Sequence, residues 1–435
     1  MNRRICYNKK MSSFNDGIRY LESLNLLGIK FELKRIARIL KEFGDPQSQL
    51  KVMHVAGTNG KGSVCAFLSS ILQEAGYTVG LYTSPHLIDV TERIQINRQN
   101  IKHKAFAKII GEVKNIAEFL QVKLTYFEFL TTVAYIYFAR EKVDFAVIET
   151  GMGGRLDATN VVHKPLVSII TNVDYDHTEY LGNTLAKIAR EKAAIIKDHG
   201  NVVTAATQPK VLAVIKAQCR KKKARLVRAD KIIKIPANWN IGLKGLHQRI
   251  NAACALGTVK QLQHQGIKVS EQAIKRGLAK VSWPGRLEIF KLPTANRQLR
   301  TVFLDGAHNP AGTSTLVENI KSNILSYKQL ICVFGVLKDK DYQAMIGQLG
   351  PLIDIVILVQ PRSDRALTAE KMMPLWRAFL APANICEESS VRQALKKALE
   401  LAGQRDLICV TGSLYTVGEA REEIFKIKNK ISNFR

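Results

Sequence analysis

The chain has 435 residues, with 65 Lys or Arg against 37 Asp or Glu and a formal net charge of +28. That length exceeds one compact core and suits two or three domains, and 46% hydrophobic with 23% charged residues excludes a disordered chain. No apolar run approaches the ~18 residues that span a bilayer, and the basic start MNRRICYNKKMSSFNDG lacks a signal peptide's apolar stretch, so a soluble, cytoplasmic protein with no membrane partner is expected.

Strand-like runs alternate with helical patterns almost throughout, the mark of α/β layers on a largely parallel sheet. KVMHVAG leads into a helix to about Ala75, and YTVGLYTS reads as a second strand. Helical patterns follow over 105–121 and 127–142, then the strands VDFAVIETG and PLVSIITNV. A helix over 183–197 precedes the strand NVVTAA, and 246–265 and 270–280 read as two further helices. Trp283-Pro284-Gly285 breaks the pattern. Beyond it RTVFLDGAH, LICVFGV, DIVILVQP and DLICVTGS alternate with helices, two of them between DIVILVQP and DLICVTGS, as in a second, smaller α/β domain of Rossmann type. The expected domains are therefore 1–283 and 284–435.

Seven cysteines (Cys6, Cys65, Cys219, Cys254, Cys332, Cys386, Cys409) are scattered, odd in number and never in a C-x-x-C pair, which points to free thiols and away from a cysteine metal site. The positive charge invites a nucleic-acid reading, yet RKKKAR (220–225) is the only dense basic run. Polyanionic substrates give the same balance, so no nucleic-acid partner is expected.

Four segments carry chemistry. In HVAGTNGKGSV the glycines Gly57, Gly60 and Gly62 let backbone approach an anion ahead of a helix N-terminus, with Lys61 placed for phosphate and Ser63 for Mg²⁺. The loop departs from G-x-x-x-x-G-K-[ST]: Val55 stands at the first glycine, and Gly62 separates Lys61 from Ser63. In VIETGMGGRLDATN, Glu149 ends a strand, either as a Mg²⁺ ligand or as a capping acid. After TNVDYDHTEY, where His177 is a metal ligand or a surface-turn histidine, Lys192 lies among Ala189, Ala193, Ala194 and Ile195. A desolvated lysine there keeps a neutral amine able to react with CO₂; a snorkelling lysine is the alternative. In LDGAHNPAG, Asp305 and His308 follow the first strand of the second domain, at a ribose-gripping position or in a plain turn.

Taken in order with YTSPHL, ERIQIN, TYFEF, REKAAIIK, GLHQRINA, WPGRLE and GSLY, these segments resemble bacterial folylpolyglutamate synthase/dihydrofolate synthase, of the Mur-type ATP-dependent amide ligases, over nearly the whole chain. The resemblance implies a P-loop-type central domain and a Rossmann-like C-terminal glutamate ligase domain. It implies ATP phosphates on Thr58, Asn59, Gly60, Lys61, Gly62 and Ser63, with Asn251, Arg286 and Asp305 also on ATP and His308 in the same motif. One Mg²⁺ would use Ser84 and Glu149, a second Glu149 and His177. Lys192 matches a lysine carried as a carbamate, and Thr125, Tyr126, Phe127, Glu128, Leu156, Asp157 and Ala158 match pterin-binding stretches. The implied substrates are dihydropteroate, reduced folates and L-glutamate, joined through an acyl phosphate, with domain closure completing the site of a monomer. Chain extension alone, or another Mur-type ligase, are the nearest alternatives; a P-loop switch acting on nucleic acid would keep the regular loop, and an inactive scaffold would have no need of Lys61, Glu149, His177 and Lys192. Ala193-Ala194 replaces the usual Ala-Gly, Met152 a usual leucine, and Arg98 a usual glycine, so a different turn after ERIQIN is expected.

Overall fold

A computed structural model of the chain describes residues 13–24, 28, 32–232, 234–293, 298–322 and 326–432. Cys6 lies outside the described residues; Cys65, Cys219, Cys254, Cys332, Cys386 and Cys409 are free thiols. Among the described residues no helix is long and apolar enough to cross a membrane. The chain divides into two compact units, one of residues up to 85, 90–242 and 249–281, the other of 86–89, 243–248 and 282–435.

The first unit is built on eight strands: β1 (Val52–Ala56), β2 (Val79–Tyr82), β3 (Ile94–Ile96), β4 (Gln99–Asn100), β5 (Phe145–Glu149), β6 (Val167–Ile170), β7 (Asn201–Thr204) and β8 (Arg225–Arg228). Their order is β4-β3-β2-β5-β1-β6-β7-β8. The run from β2 to β8 is parallel and only the β2–β3–β4 edge is antiparallel. β1, β2, β5 and β6 are buried along their whole length, as strands covered on both faces must be. Tyr82, Ala146 and Ile148 pack with Phe106, Ile110, Phe129 and Val133 of helices His103–Phe119 and Tyr126–Arg140. Helix Lys61–Glu74 follows β1, and its Ser70 Oγ donates to Gly277 O of helix Glu271–Lys280 at 2.6 Å.

The turn after ERIQIN joins β3 to β4. Asn97 and Arg98 take φ of 48° and 65°, the two left-handed residues of a tight hairpin, between the pair Ile96 and Gln99. Arg98 tolerates the position because its guanidinium donates to Lys280 O at 3.2 Å and to Ser70 Oγ.

The second unit carries β9 (Glu288–Pro293), β10 (Leu299–Leu304), β11 (Leu330–Phe334), β12 (Ile355–Val359), β13 (Ile385–Glu388) and β14 (Leu407–Thr411) in the order β13-β12-β11-β14-β10-β9. Only β9 is antiparallel. Alternation along β11 feeds two cores. Leu330, Cys332 and Phe334 meet Leu316, Met345 and Trp376 on one face, while Ile331 and Val333 meet Leu395, Val417 and Ile424 on the other. Helices therefore cover both faces, as in a Rossmann-like layer fold. The two helices expected between DIVILVQP and DLICVTGS are Ala369–Trp376 and Val391–Leu401, and the strand β13 lies between them where none was expected.

Candidate active site

Neighbouring parallel strands bring their carboxyl ends together, so β2, β5, β1 and β6 deliver Ser84, Glu149, the Gly57 loop and Asn172 to one edge of the first sheet. The loop is shaped by its neighbour. Thr58 N donates to Asn172 O at 2.9 Å and Asn59 N to Asn172 Oδ1 at 2.7 Å, while Thr171 Oγ1 donates to Asn59 O at 2.7 Å. Thr58 Oγ1 donates to Asp174 O at 3.1 Å and accepts from Asp174 N at 2.9 Å. Thr58 and Asn59 thus hold the loop's form with their own amides. Helix geometry leaves the first-turn amides of Lys61, Gly62 and Ser63 without intrahelical partners, the arrangement that receives anions. Glycine is required twice here: a Cβ at Gly57 would lie 1.9 Å from Thr171 Oγ1, and one at Gly60, at φ 82°, 2.5 Å from Asn251 Oδ1. Asn251 therefore stands directly on the loop. Lys61 Nζ donates to Gly57 O and Thr58 O, both at 3.1 Å.

Glu149 is buried, and its Oε2 accepts from Ser84 N at 3.2 Å. A carboxylate and a serine at adjoining strand ends beside a phosphate loop form a hard-oxygen donor set, which fits Mg²⁺ shared with phosphate oxygens. Among the described residues no three His, Cys, Asp or Glu side chains cluster, so a closed all-protein metal cage is not built here. His177, at φ 49°, stands at the N-cap position of the short helix Thr178–Leu181, with Nε2 3.8 Å from Asp176 Oδ1.

Lys192 is 4% exposed, on helix Leu185–Ala193, and its Nζ donates to the same Gly57 O at 2.8 Å. Burial first, and the charge of Lys61 second, bring its pKa down to about 7. The loop after Glu149 reaches this helix closely, because a Cβ at Gly154 would meet Glu191 O at 2.7 Å and Lys192 O at 3.1 Å. An open cleft beside it is lined by Met152, Arg155, Leu156, Tyr180, Leu181 and Glu191. Asp157 is turned inward: its carboxylate accepts from Met152 N at 2.8 Å, Thr159 N at 3.0 Å and Thr159 Oγ1 at 2.5 Å. Burial raises its pKa while these bonds oppose the rise. Ala158 begins the 3₁₀ turn that Asp157 caps.

Of the stretch Thr125 to Glu128, two side chains build the helix rather than face outward. Thr125 Oγ1 accepts from Glu128 N at 3.3 Å and Glu128 Oε2 from Thr125 N at 2.8 Å, a reciprocal capping box. Arg35 Nη2 then donates to Glu128 Oε1 at 2.9 Å. Tyr126, under the Arg93 guanidinium at 5.4 Å, and Phe127, 6.0 Å from the Tyr82 ring, remain partly exposed.

Within the second unit, Asp305 at the end of β10 accepts from Leu287 N at 3.1 Å and Ala307 N at 3.0 Å. Burial lifts its pKa, opposed by the nearby Arg286 charge. Arg286 Nη1 lies across Gly306, 2.5 Å from where a Cβ would stand, and His308 Nδ1 donates to Gly306 O at 2.7 Å. Arg286, Asp305 and His308 thus form one cluster. Residues given no role from sequence, namely Thr171, Arg35, His54 and Thr159, shape the first unit's site through contacts far apart in the chain, whereas Asn172 and Asp174 had a local signal at a strand end.

Residues 55–259 match the Mur ligase middle domain and residues 285–414 the Mur ligase glutamate ligase domain. The dihydrofolate synthase/folylpolyglutamate synthase of Bacillus subtilis (strain 168) is 34% identical over 95% of this chain and 99% of its own length. The folylpolyglutamate synthase of Lacticaseibacillus casei is 33% identical over 95% and 99%. Among solved structures, E. coli FolC in complex with DHPP and ADP superposes with a TM-score of 0.86 at 30% identity, covering 97% of this chain and 100% of that one. Mycobacterium tuberculosis folylpolyglutamate synthase complexed with ADP and AMPPCP gives 0.83 at 32%, covering 93% and 98%. The chain belongs to the Mur ligases, in the dihydrofolate synthase/folylpolyglutamate synthase family.

Proposed function

We propose that the chain is an ATP-dependent amide ligase that joins L-glutamate to dihydropteroate and to folate glutamates, yielding ADP and phosphate. The observation that carries this reading is the convergence of a phosphate loop, the Glu149–Ser84 pair and the buried Lys192 at one sheet edge, in a chain related over 95% of its length to an enzyme of this name.

The amides of Lys61, Gly62 and Ser63 receive the ATP phosphates, and Lys61 turns from the Gly57 and Thr58 carbonyls to the γ-phosphate. Asn251, on the loop, and Arg286 and Asp305 of the C-terminal unit are proposed nucleotide contacts, with His308 beside the latter two. Ser84 and Glu149 would hold one Mg²⁺, Glu149 and His177 a second; the ions supply neutralisation of the phosphate charge. The acceptor carboxylate attacks the γ-phosphorus and the bond to the ADP oxygen breaks. The amine of glutamate then attacks the acyl carbon, losing a proton as phosphate leaves. Tyr126 and Phe127 offer an aromatic wall for the pterin, beside Leu156, Asp157 and Ala158. Lys192, neutral in part near pH 7, is placed to take up CO₂ as a carbamate.

An acceptor labelled with ¹⁸O in its carboxylate tests the acyl phosphate. Label appearing in the released phosphate is expected; label retained wholly in the amide product would sink the reading.

A further inference from the structure

His54 sits in β1 between Met53 and Val55, wholly buried, where an apolar residue would satisfy the strand. Its Nε2 lies 2.8 Å from Thr159 Oγ1, while its buried Nδ1 has no hydrogen-bond partner among the described residues. The direction of the bond follows from proton counting. The single Thr159 hydroxyl proton goes to Asp157 Oδ1, so Thr159 Oγ1 accepts from His54, which is therefore the Nε2–H tautomer. Thr159 is a knot: its N–H also donates to Asp157 Oδ1, and its carbonyl accepts from Tyr135 Oη at 2.8 Å. Burial holds the imidazole neutral, its pKa pushed down to about 3. An unpaired buried ring nitrogen costs stability, so packing alone gives no reason for histidine here.

We propose that His54 is a positioning residue for the acceptor acid, fixing the buried Asp157 carboxylate and the loop around it through Thr159, from the same strand whose end carries the phosphate loop. The proposal rests on the assignment of Leu156, Asp157 and Ala158 to the acceptor. The chain His54–Thr159–Asp157 ties the acceptor loop to β1, while the phosphate loop is shaped separately by Asn172 and Asp174. Loss of the His54 donor should therefore disturb acceptor binding and spare ATP.

Steady-state kinetics with dihydropteroate as the varied acceptor test this in His54→Leu, His54→Gln and Thr159→Val. His54→Leu and Thr159→Val should raise the acceptor KM about five- to tenfold, with the KM for ATP and kcat within about twofold of the parent. His54→Gln, whose amide reaches the Nε2 position, should restore the parent KM. Leucine removes the unpaired Nδ1, so the melting temperature of His54→Leu should not fall. Equal rises in both KM values, or a lower melting temperature with an unchanged acceptor KM, would show a structural role only. Nitrogen-15 NMR of the unmutated protein provides a check independent of the variants: protonated Nε2 with bare Nδ1 is expected, and the opposite tautomer overturns the proposal. Absence of turnover with dihydropteroate in the parent enzyme would mean that the proposed reaction had failed, whereas turnover with an unchanged acceptor KM in all three variants would overturn the role given to His54.

Discussion

Lys192 decides the most at the scale of single residues. Its folded pKa of about 7 lies below the ordinary lysine value, so between the two the unfolded chain binds a proton that the folded chain does not. Burial of Lys192 consequently costs stability in full below about pH 7, and the cost fades as pH rises toward the ordinary lysine value. In CO₂-free buffer, thermal melts of Lys192→Met should gain most over the parent near pH 6 and least near pH 9–10, to within about a pH unit. A gain independent of pH would mean the amine is not held neutral. The same neutrality governs reaction with CO₂: a carbamate signal from ¹³C-bicarbonate should grow above about pH 7 and be absent in Lys192→Arg, whose guanidinium stays protonated. The apolar neighbours of Lys192 were visible in the sequence; its bond to Gly57 O was not, because the partners are 135 residues apart.

Among the elements, helix Tyr126–Arg140 shows how one motif carries two meanings. Thr125-x-x-Glu128 is a capping signature in its own right, and the structure adds the Arg35 ion pair that resemblance to the family did not suggest. Glu128 is 3% exposed and bonded both to Thr125 N and to Arg35. Glu128→Ala should therefore lower unfolding free energy by about 2 kcal/mol, since it removes a cap and leaves Glu32, 2.9 Å from Arg35 Nη1, as the carboxylate paired with that partly buried guanidinium; denaturant melts measure this. A loss under about 1 kcal/mol would mean the capping box and ion pair contribute no more than a surface pair. Buried strands such as β1, β5 and β11 were legible as nearly continuous apolar runs. Edge strands were not: β4 is two exposed polar residues, β13 reads Ile-Cys-Glu-Glu, and β8 begins inside the basic run at 220–225. Edges are kept short and charged, which erases the alternation that would reveal them.

For the molecule as a whole, the charge of +28 suits capture of the anionic substrates proposed above. Long-range attraction raises encounter rates and is screened by salt. Raising ionic strength with a non-chelating salt should lower kcat/KM for ATP and for folate substrates several-fold, with kcat nearly constant; a salt-independent kcat/KM would make the charge irrelevant to substrate capture. The long segment of the second unit begins at Ser282, beside Trp283-Pro284-Gly285, whereas the passage of residues 86–89 and 243–248 into that unit depends on tertiary contacts with no local sequence signal.

The central measurement is phosphate release from MgATP and L-glutamate, with dihydropteroate or a reduced folate monoglutamate as acceptor. Release with each acceptor, dependent on glutamate and lost on chelation of Mg²⁺, is the expected result. Release with the folate alone would confine the enzyme to chain extension, and release with neither would contradict the assignment of glutamate ligation to this site.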